Sequence, residues 1–561
     1  MPSASTPREE GSCCGISAQK WTIAKLVLTV TMGGLLLGYD TAVISAALIG
    51  MRARKDPFHG LEDDGLSNFQ QAWLVTGAST GAIAGACLSG WLSDRLGRRC
   101  NLMISAVIFL VASIVMFFAP DYETLLCGRL AVGLAVGCCC MVVPVYIAET
   151  APANLRGSLI TVNTVMIVFG QVVSTLVNCP LARVLGGWRY MLGLGVFPAL
   201  VMIVGLLFLP ESPRWLVQKG RSEEALQVLH SLREELDETY TVQDEIQAIR
   251  QQLIESQDDG WSCQKLSQIL SDVRIRSALA VGCVLHLAQQ ISGINTMMCY
   301  SANILQSGNG SADEENPLDP NAIEAICLSA VTATANLIGN LLAMCLAERC
   351  GRRVLMLGSL SGACVSLFVL GFAFHTTRVN ELVVVASMMT FLLSYGCGLA
   401  PMPWTVNAEI YPLYARSICV SIATGVNWTM NVIVSLTFLY LGENMSTYRW
   451  KDDLPMEDRE KEIKNHPDGV FWLYSVLTAL CGIWLWFKMP ETKGLTLEET
   501  IDQFDSQKQV LRQNAAAGDG VDEEKREGKK EEEQQDNEEC ANYGSCRDPS
   551  MRLKHGIHPQ Q

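Results

Sequence analysis

Asp40 and Arg129 are the residues whose chemistry fits worst with their surroundings. Asp40 stands in Gly38-Tyr39-Asp40-Thr41 inside one long apolar stretch, and Arg129 in Gly128-Arg129-Leu130 inside another. A charged side chain at the centre of a membrane span costs roughly 2.5–3.5 kcal/mol on insertion scales. Facing each other, the two would lower each other's cost. A carboxylate that exchanges between a protonated state and an Arg-paired state is a proton-coupling device. The alternative, a permanent structural ion pair, could sit at the span ends where it costs less. His286, in a later apolar stretch, is read as a helix-packing histidine without a role.

A second set of polar residues is uncharged. Gln171, Gln289, Gln290, Asn295, Asn336 and Asn427 stand in apolar segments, together with Trp404 and Trp428. Amides offer both donors and acceptors, which suits a ring of neutral hydroxyls, and indole faces suit the apolar face of that ring. A single amide in a span is more often helix–helix glue. Gln289 and Gln290 are adjacent, however, and point about 100° apart, so both cannot serve one packing contact. The set favours a site for a small polyol. No metal cluster, nucleophile–base set or phosphate-binding loop is visible in the sequence, so no catalytic residue, metal or other cofactor is expected. An enzyme ranks last, and no nucleic-acid partner is expected.

The elements that must position these residues are membrane spans. Of 561 residues, 49% are hydrophobic and 18% charged, against about 25% charged in soluble domains. The apolar residues form twelve blocks near the length of a bilayer-spanning helix, at about 22–50, 69–92, 101–119, 123–147, 158–182, 189–209, 277–305, 322–346, 354–375, 381–408, 417–442 and 469–488. The first is too long for a signal peptide. Gly77, Gly81 and Gly85 in the second span point to close helix packing. Gly396, Gly398, Pro401 and Pro403 in the tenth point to a hinge beside Trp404.

The chain also repeats itself. Asp94-Arg95-Leu96-Gly97-Arg98-Arg99 returns as Glu348-Arg349-Cys350-Gly351-Arg352-Arg353. Glu149 with Arg156 returns as Glu409 with Arg416, and Pro210-Glu211-Ser212-Pro213-Arg214 is matched by Pro490-Glu491-Thr492-Lys493-Gly494. Three paired motifs in one order mean a duplicated membrane unit, which points to a transporter with its site between the halves. The basic loops belong in the cytoplasm by the positive-inside rule, and an even number of spans puts both termini there too.

The domains expected are a cytoplasmic segment at 1–21, a six-helix half at 22–210, a cytoplasmic helical linker at 211–275, a second six-helix half at 276–494 and a charged, disordered tail at 495–561. In the linker, Ala225, Leu226, Val228 and Leu229, then Ile246, Ile249 and Leu253, recur at helical spacing. The 21 cysteines show no extracellular disulfide framework, and most behave as small apolar residues within spans. Cys13 and Cys14 are read as unmodified thiols, with palmitoylation the alternative. Asn309 and Asn444 head sequons in loops expected outside and are glycosylation candidates. Lipid surrounds the protein, the plasma membrane is the default location, and a monomer suffices.

Together these residues make the chain resemble the sugar-porter branch of the major facilitator superfamily over roughly residues 22–500. Within that branch it is similar to the animal-type proton/myo-inositol cotransporters. The resemblance rests on the paired motifs above and on three further stretches. These are Gln290-Ile291-Ser292-Gly293-Ile294-Asn295-Thr296, the run Pro401 to Pro412 around Trp404 and Glu409, and Val434-Ser435-Leu436-Thr437-Phe438-Leu439. It implies an all-α fold of twelve transmembrane helices in two six-helix halves, each a pair of inverted three-helix repeats. It also implies that Asp94, Arg98, Glu149, Arg156, Glu348, Arg352, Glu409 and Arg416, with Glu211 and Glu491, form a cytoplasmic salt-bridge gate. Asp40 agrees with the proton-coupled members. Gln171, Gln289, Gln290, Asn295, Asn336, Trp404 and Asn427 match polyol-contacting positions. Thr164, where many hexose carriers have Gln, and Cys299, in a stretch where Tyr is usual, depart from the glucose and xylose patterns. The expected function is proton-coupled symport of myo-inositol or a related polyol. The rivals are a facilitative hexose or polyol uniporter and a transporter-like nutrient sensor.

Overall fold

The computed structural model describes residues 18–52, 66–151, 156–232, 242–257, 271–308, 320–376, 380–447 and 466–493. Twelve helices among them are long and apolar enough to cross a membrane. In the first half these are α1 (Trp21–Met51), α2 (Asn68–Leu96), α3 (Arg98–Phe117), α4 (Tyr122–Thr150), α5 (Leu159–Leu181) and α6 (Gly187–Leu207). In the second they are α7 (Val273–Cys299), α8 (Pro320–Ala347), α9 (Arg352–His375), α10 (Glu381–Glu409), α11 (Ile418–Met445) and α12 (Asp468–Lys488). The twelve expected spans are therefore all present, and the protein is an all-α, multi-pass membrane protein.

The duplication read in the sequence recurs in the packing. In the first half α2 packs on α4, α1 on α5, and α3 on both α4 and α6. In the second, α8 packs on α10, α7 on α11, and α9 on both α10 and α12. The halves meet through α5 against α8 and α2 against α11, contacts that exchange when the halves are swapped.

Glycines set the closest approaches. A Cβ on Gly81 or Gly85 of α2 would lie 2.2 or 2.1 Å from the carbonyl oxygens of Leu130 and Leu134. One on Gly133 or Gly137 of α4 would lie 2.0 or 2.2 Å from those of Ala78 and Ala82. Both backbones are thus bare where they cross, which is how small residues bring membrane helices together.

The spans α1, at Thr31, and α6, at Leu194–Gly195, have brief turns, and α7 and α10 are interrupted among the candidate site residues. In α7 the helix Val273–Ile291 ends, Gly293 adopts φ +81°, and a short helix follows over Ile294–Cys299. In α10 the helix Glu381–Cys397 ends and resumes as Met402–Glu409, and the carbonyls of Leu399 and Ala400 lie in the gap. The Gly/Pro cluster thus makes a break rather than a smooth bend, because proline supplies no N–H to the ladder. Between α6 and α7, helices Pro213–Gln218, Ser222–Leu232 and Val242–Gln257 share a small core of Trp215, Leu216, Val217, Ala225, Leu229 and Ile246.

Candidate functional site

Asp40 on α1 and Arg129 on α4 face each other. Both are buried, and an Arg129 Nη1–H donates to the Asp40 carboxylate. Arg129 Nε donates to the Leu74 carbonyl of α2 at 3.0 Å. The guanidinium is therefore held by two elements, and its bond to Leu74 does not depend on the charge of Asp40. The Cys299 thiol, at the end of the short helix in α7, donates to the carbonyl of Thr41, the residue after Asp40, at 3.4 Å.

The amides fall into two groups. In the second half, Asn295 Nδ2 donates to Gln290 Oε1 at 2.5 Å, and Gln290 Nε2 donates to Asn427 Oδ1 at 3.0 Å. Asn427 Nδ2 donates to Gln289 Oε1 at 2.7 Å. Gln289 Nε2 ends the chain on the carbonyls of Leu399 and Ala400 at 2.9 and 3.1 Å. The second group spans the halves: Asn336 Nδ2 of α8 donates to Gln171 Oε1 of α5 at 3.1 Å, and Asn340 Nδ2 donates to Asn336 Oδ1 at 3.2 Å. A typical hydrogen bond is worth only about 0.5–1.5 kcal/mol net, so these amides can exchange a bond to each other for one to a hydroxyl at small cost.

The tryptophans separate. Trp404 is 39% exposed, with its ring edge-to-face on His286 at 4.7 Å. Trp428 is buried, and its indole N–H has no partner among the described residues. Sequence reasoning passed over two residues that join these groups. His286 Nδ1 lies 3.1 Å from Asn427 Nδ2, so the histidine belongs to the amide chain rather than to plain helix packing. Its place one turn before Gln289 was the available signal. Asn340 was the other, one turn beyond Asn336.

The loop residues pair within each half. Arg98 makes two contacts to Glu149, at 3.0 and 3.1 Å, and a longer one to Asp94 at 3.6 Å. Arg352 reaches Glu409 at 3.3 Å. Ser212 Oγ donates to Glu149 and Thr492 Oγ1 to Glu409, at 2.5 and 2.6 Å. Glu211 accepts from the backbone N–H groups of Arg98 and Arg99, and Glu491 from those of Arg352 and Arg353. These two carboxylates cap the starts of α3 and α9. The side chains of Arg156, Glu348 and Arg416 lie outside the described residues.

The halves are joined at the centre and toward the opposite end. Ser45 and Ser301 hydroxyls lie 3.0 Å apart, Ser79 Oγ donates to Asn431 at 2.7 Å, and Asn68 donates to Glu443 at 2.6 Å. At that end Cys179 of α5 and Cys327 of α8 form a disulfide, which corrects the expectation that none links the outer segments. The cysteines are 148 residues apart in sequence and show no local spacing pattern. Only the α5–α8 contact brings them together. Asn444 lies in the last turn of α11 with Nδ2 on the Tyr440 carbonyl at 2.8 Å. Asn309, Cys13, Cys14 and the tail lie outside the described residues.

The sequence matches the family described as sugar (and other) transporter over residues 26–504. It is 33% identical to the human proton myo-inositol cotransporter, with 85% of this chain and 81% of that protein covered. It is 32% identical to the arabinose-proton symporter of Escherichia coli strain K12, covering 84% of this chain and 91% of that protein. The fold is similar to that of the xylose transporter XylE from E. coli in a partially occluded inward open conformation. That match has a TM-score of 0.67 and 28% identity, over 85% of this chain and all (100%) of the other.

Proposed function

We propose, from the premise that this chain belongs to the sugar (and other) transporter family, in the sugar-porter branch of the major facilitator superfamily, that it is a proton-coupled symporter. Its cargo is myo-inositol or a closely related polyol, carried by alternating access. The observation that carries the reading is the short helix Ile294–Cys299. Asn295 at its start belongs to the amide chain, and Cys299 at its end meets the backbone beside Asp40. One short helix therefore joins the amide chain to the backbone next to the ion pair.

In the outward state a proton from outside neutralises Asp40 and loosens its hold on Arg129, whose Nε remains on Leu74. The polyol binds chiefly to the second half, through Gln289, Gln290, Asn295, Asn427 and the face of Trp404, with Gln171, Asn336 and Trp428 completing the lining. Closure moves α1 against the Ile294–Cys299 segment. The proton and polyol then leave on the other side, and Asp40 pairs again with Arg129. Each inward charge gains about 2.3 kcal/mol per 100 mV of membrane potential, so the cycle is electrogenic. The pairs Arg98–Glu149 and Arg352–Glu409 hold each loop end to its own half, and in the outward state the loop ends come together as the cytoplasmic gate.

The disulfide supports the orientation. It sits at the end opposite the Arg-rich loops, and disulfides persist in oxidising compartments. This supports a cytoplasmic location for the loops and, with an even number of spans, for both termini; the plasma membrane is the location proposed. The test is uptake of radiolabelled myo-inositol by cells expressing this chain, at acid and neutral outside pH, with and without a protonophore. Uptake that rises in acid and collapses with the protonophore is expected. Uptake indifferent to both would make this a uniporter, and none at all with the protein at the surface would remove inositol as the substrate.

A further inference from the structure

The backbone carbonyls fix the sense of the amide chain from Gln289 onward. Gln289 Nε2 donates to two backbone carbonyls, of Leu399 and Ala400, and carbonyls only accept. The Gln289 amide therefore cannot turn over, and its Oε1 must face Asn427. Asn427 must answer with Nδ2, at 2.7 Å. The same Nδ2 lies 3.1 Å from His286 Nδ1. An amide nitrogen does not accept, so a hydrogen bond between these two atoms needs the lone pair on His286 Nδ1 and the ring proton on Nε2, which is buried with no partner among the described residues. Both hydrogens of the Asn427 amide are now committed. Its Oδ1 is left for Gln290 Nε2, and Gln290 Oε1 for Asn295.

We propose that His286 is a positioning residue of the polyol site. Its Nδ1 lone pair takes the second amide hydrogen of Asn427, and its ring backs Trp404. The inference rests on the polyol reading above and deepens it. His286 is fully buried, and its edge-to-face contact at 4.7 Å supports the indole from behind, leaving the Trp404 surface that reaches open space. With both ends of the chain fixed, a cyclic polyol meets one donor–acceptor pattern instead of several. Isomers that differ at a single hydroxyl are then told apart, because the wrong one leaves a buried amide unpaired.

The test compares H286N, H286Q and H286L. Asparagine places its Oδ1 where Nδ1 stands. Glutamine is as polar but puts its amide one bond farther out, and leucine supplies no acceptor. The KM for myo-inositol is expected to rise about 3- to 10-fold in H286L and H286Q, the effect of one hydrogen bond. H286N should fall between them and the wild type. Vmax per transporter at the surface should move less, and the ratio of KM for scyllo- and myo-inositol should shift toward one. A KM in H286L equal to wild type, or H286N no better than H286Q, overturns the proposal. If the wild type carries D-xylose but not myo-inositol, the substrate reading fails and the same comparison is made on xylose. A measurement independent of transport is the ¹⁵N spectrum of the purified, histidine-labelled protein, with His286 identified by the signal lost in H286N. An unprotonated Nδ1 is expected, and a protonated one overturns the proposal whatever the cargo.

Discussion

The two halves have the same loop ends and different centres. Each loop end has an Arg on a helix-terminal Glu, a hydroxyl on that same Glu, and a second Glu capping the next helix. At the centre the first half holds a buried ion pair, Asp40 with Arg129, while the second holds a chain of neutral amides ending on backbone carbonyls. Under the proposed function, the difference separates two tasks that would interfere in one place. A guanidinium beside the amides would draw the best acceptors to itself, since charge-assisted bonds are about twice as strong as neutral ones. In the proposed cycle the ion pair, kept apart, responds to a proton and the amides to hydroxyls, and the Ile294–Cys299 helix lies between them.

The largest effect should come from removing the titratable group. Asp40→Asn leaves an oxygen for Arg129 but no proton site, so concentrative, acid-stimulated uptake is expected to vanish while exchange of labelled for unlabelled polyol continues. Proteoliposomes with an imposed pH gradient measure both. Accumulation that survives in this variant would sink the assignment of coupling to the first half. Next in size is the tie between the halves. Cys179→Ser is expected to lower stability by about 2–4 kcal/mol, the usual worth of a native disulfide closing a long loop, read as earlier thermal unfolding in detergent. With a protease site introduced within residues 233–241, the cut wild type should run as one species without reductant and as two with it. Two species under both conditions would mean that the halves are not covalently joined.

The second half should answer differently. Gln290→Ala removes the donor to Asn427 and the acceptor for Asn295, leaving two amides short of a partner. A loss of about 1–3 kcal/mol in polyol affinity follows, seen as a raised KM, while the accumulation ratio at saturating polyol stays near that of the wild type. A variant that lost accumulation and kept its KM would mean the two tasks are not divided between the halves.

What could be read in advance follows from how far a signal travels along the chain. The spans were legible because twenty consecutive apolar residues are a local feature, and the duplication because three motifs recur in order. Asp40, Arg129 and the amides stood out because polar groups in apolar runs are costly and few. Their partners were less legible. That Gln171 meets Asn336, and Gln290 meets Asn427, depends on which faces of α5, α8, α7 and α11 turn inward. His286 gives no local sign of a role, because a lone histidine on an apolar helix usually only packs, and its contact with Asn427 crosses 141 residues. Cys179 and Cys327 carry no sign of each other until α5 lies on α8. The break in α10 was expected as a hinge, but that its freed carbonyls would anchor Gln289 is a tertiary fact.

The smallest expected effect tests how far the likeness of the loop ends goes. Gly97 and Gly351, at φ +96° and +88°, turn the chain so that the N–H groups opening α3 and α9 meet Glu211 and Glu491. Removing either carboxylate, in Glu211→Ala or Glu491→Ala, should cost about 0.5–2 kcal/mol, as for other helix caps. The amide variants should break the symmetry. One oxygen of Glu211 accepts from Arg98, Arg99 and Ser212, so Glu211→Gln can keep all three bonds with its single carbonyl oxygen. Glu491 divides the task, one oxygen accepting from Arg352 and the other from Arg353. Glu491→Gln must turn an NH₂ toward one of those N–H groups. Glu491→Gln is therefore expected to unfold at a lower temperature than Glu211→Gln, although the two alanine variants match. Equal melting of the glutamine pair would mean that the charge at the helix start, rather than the count of acceptors, is what each cap supplies.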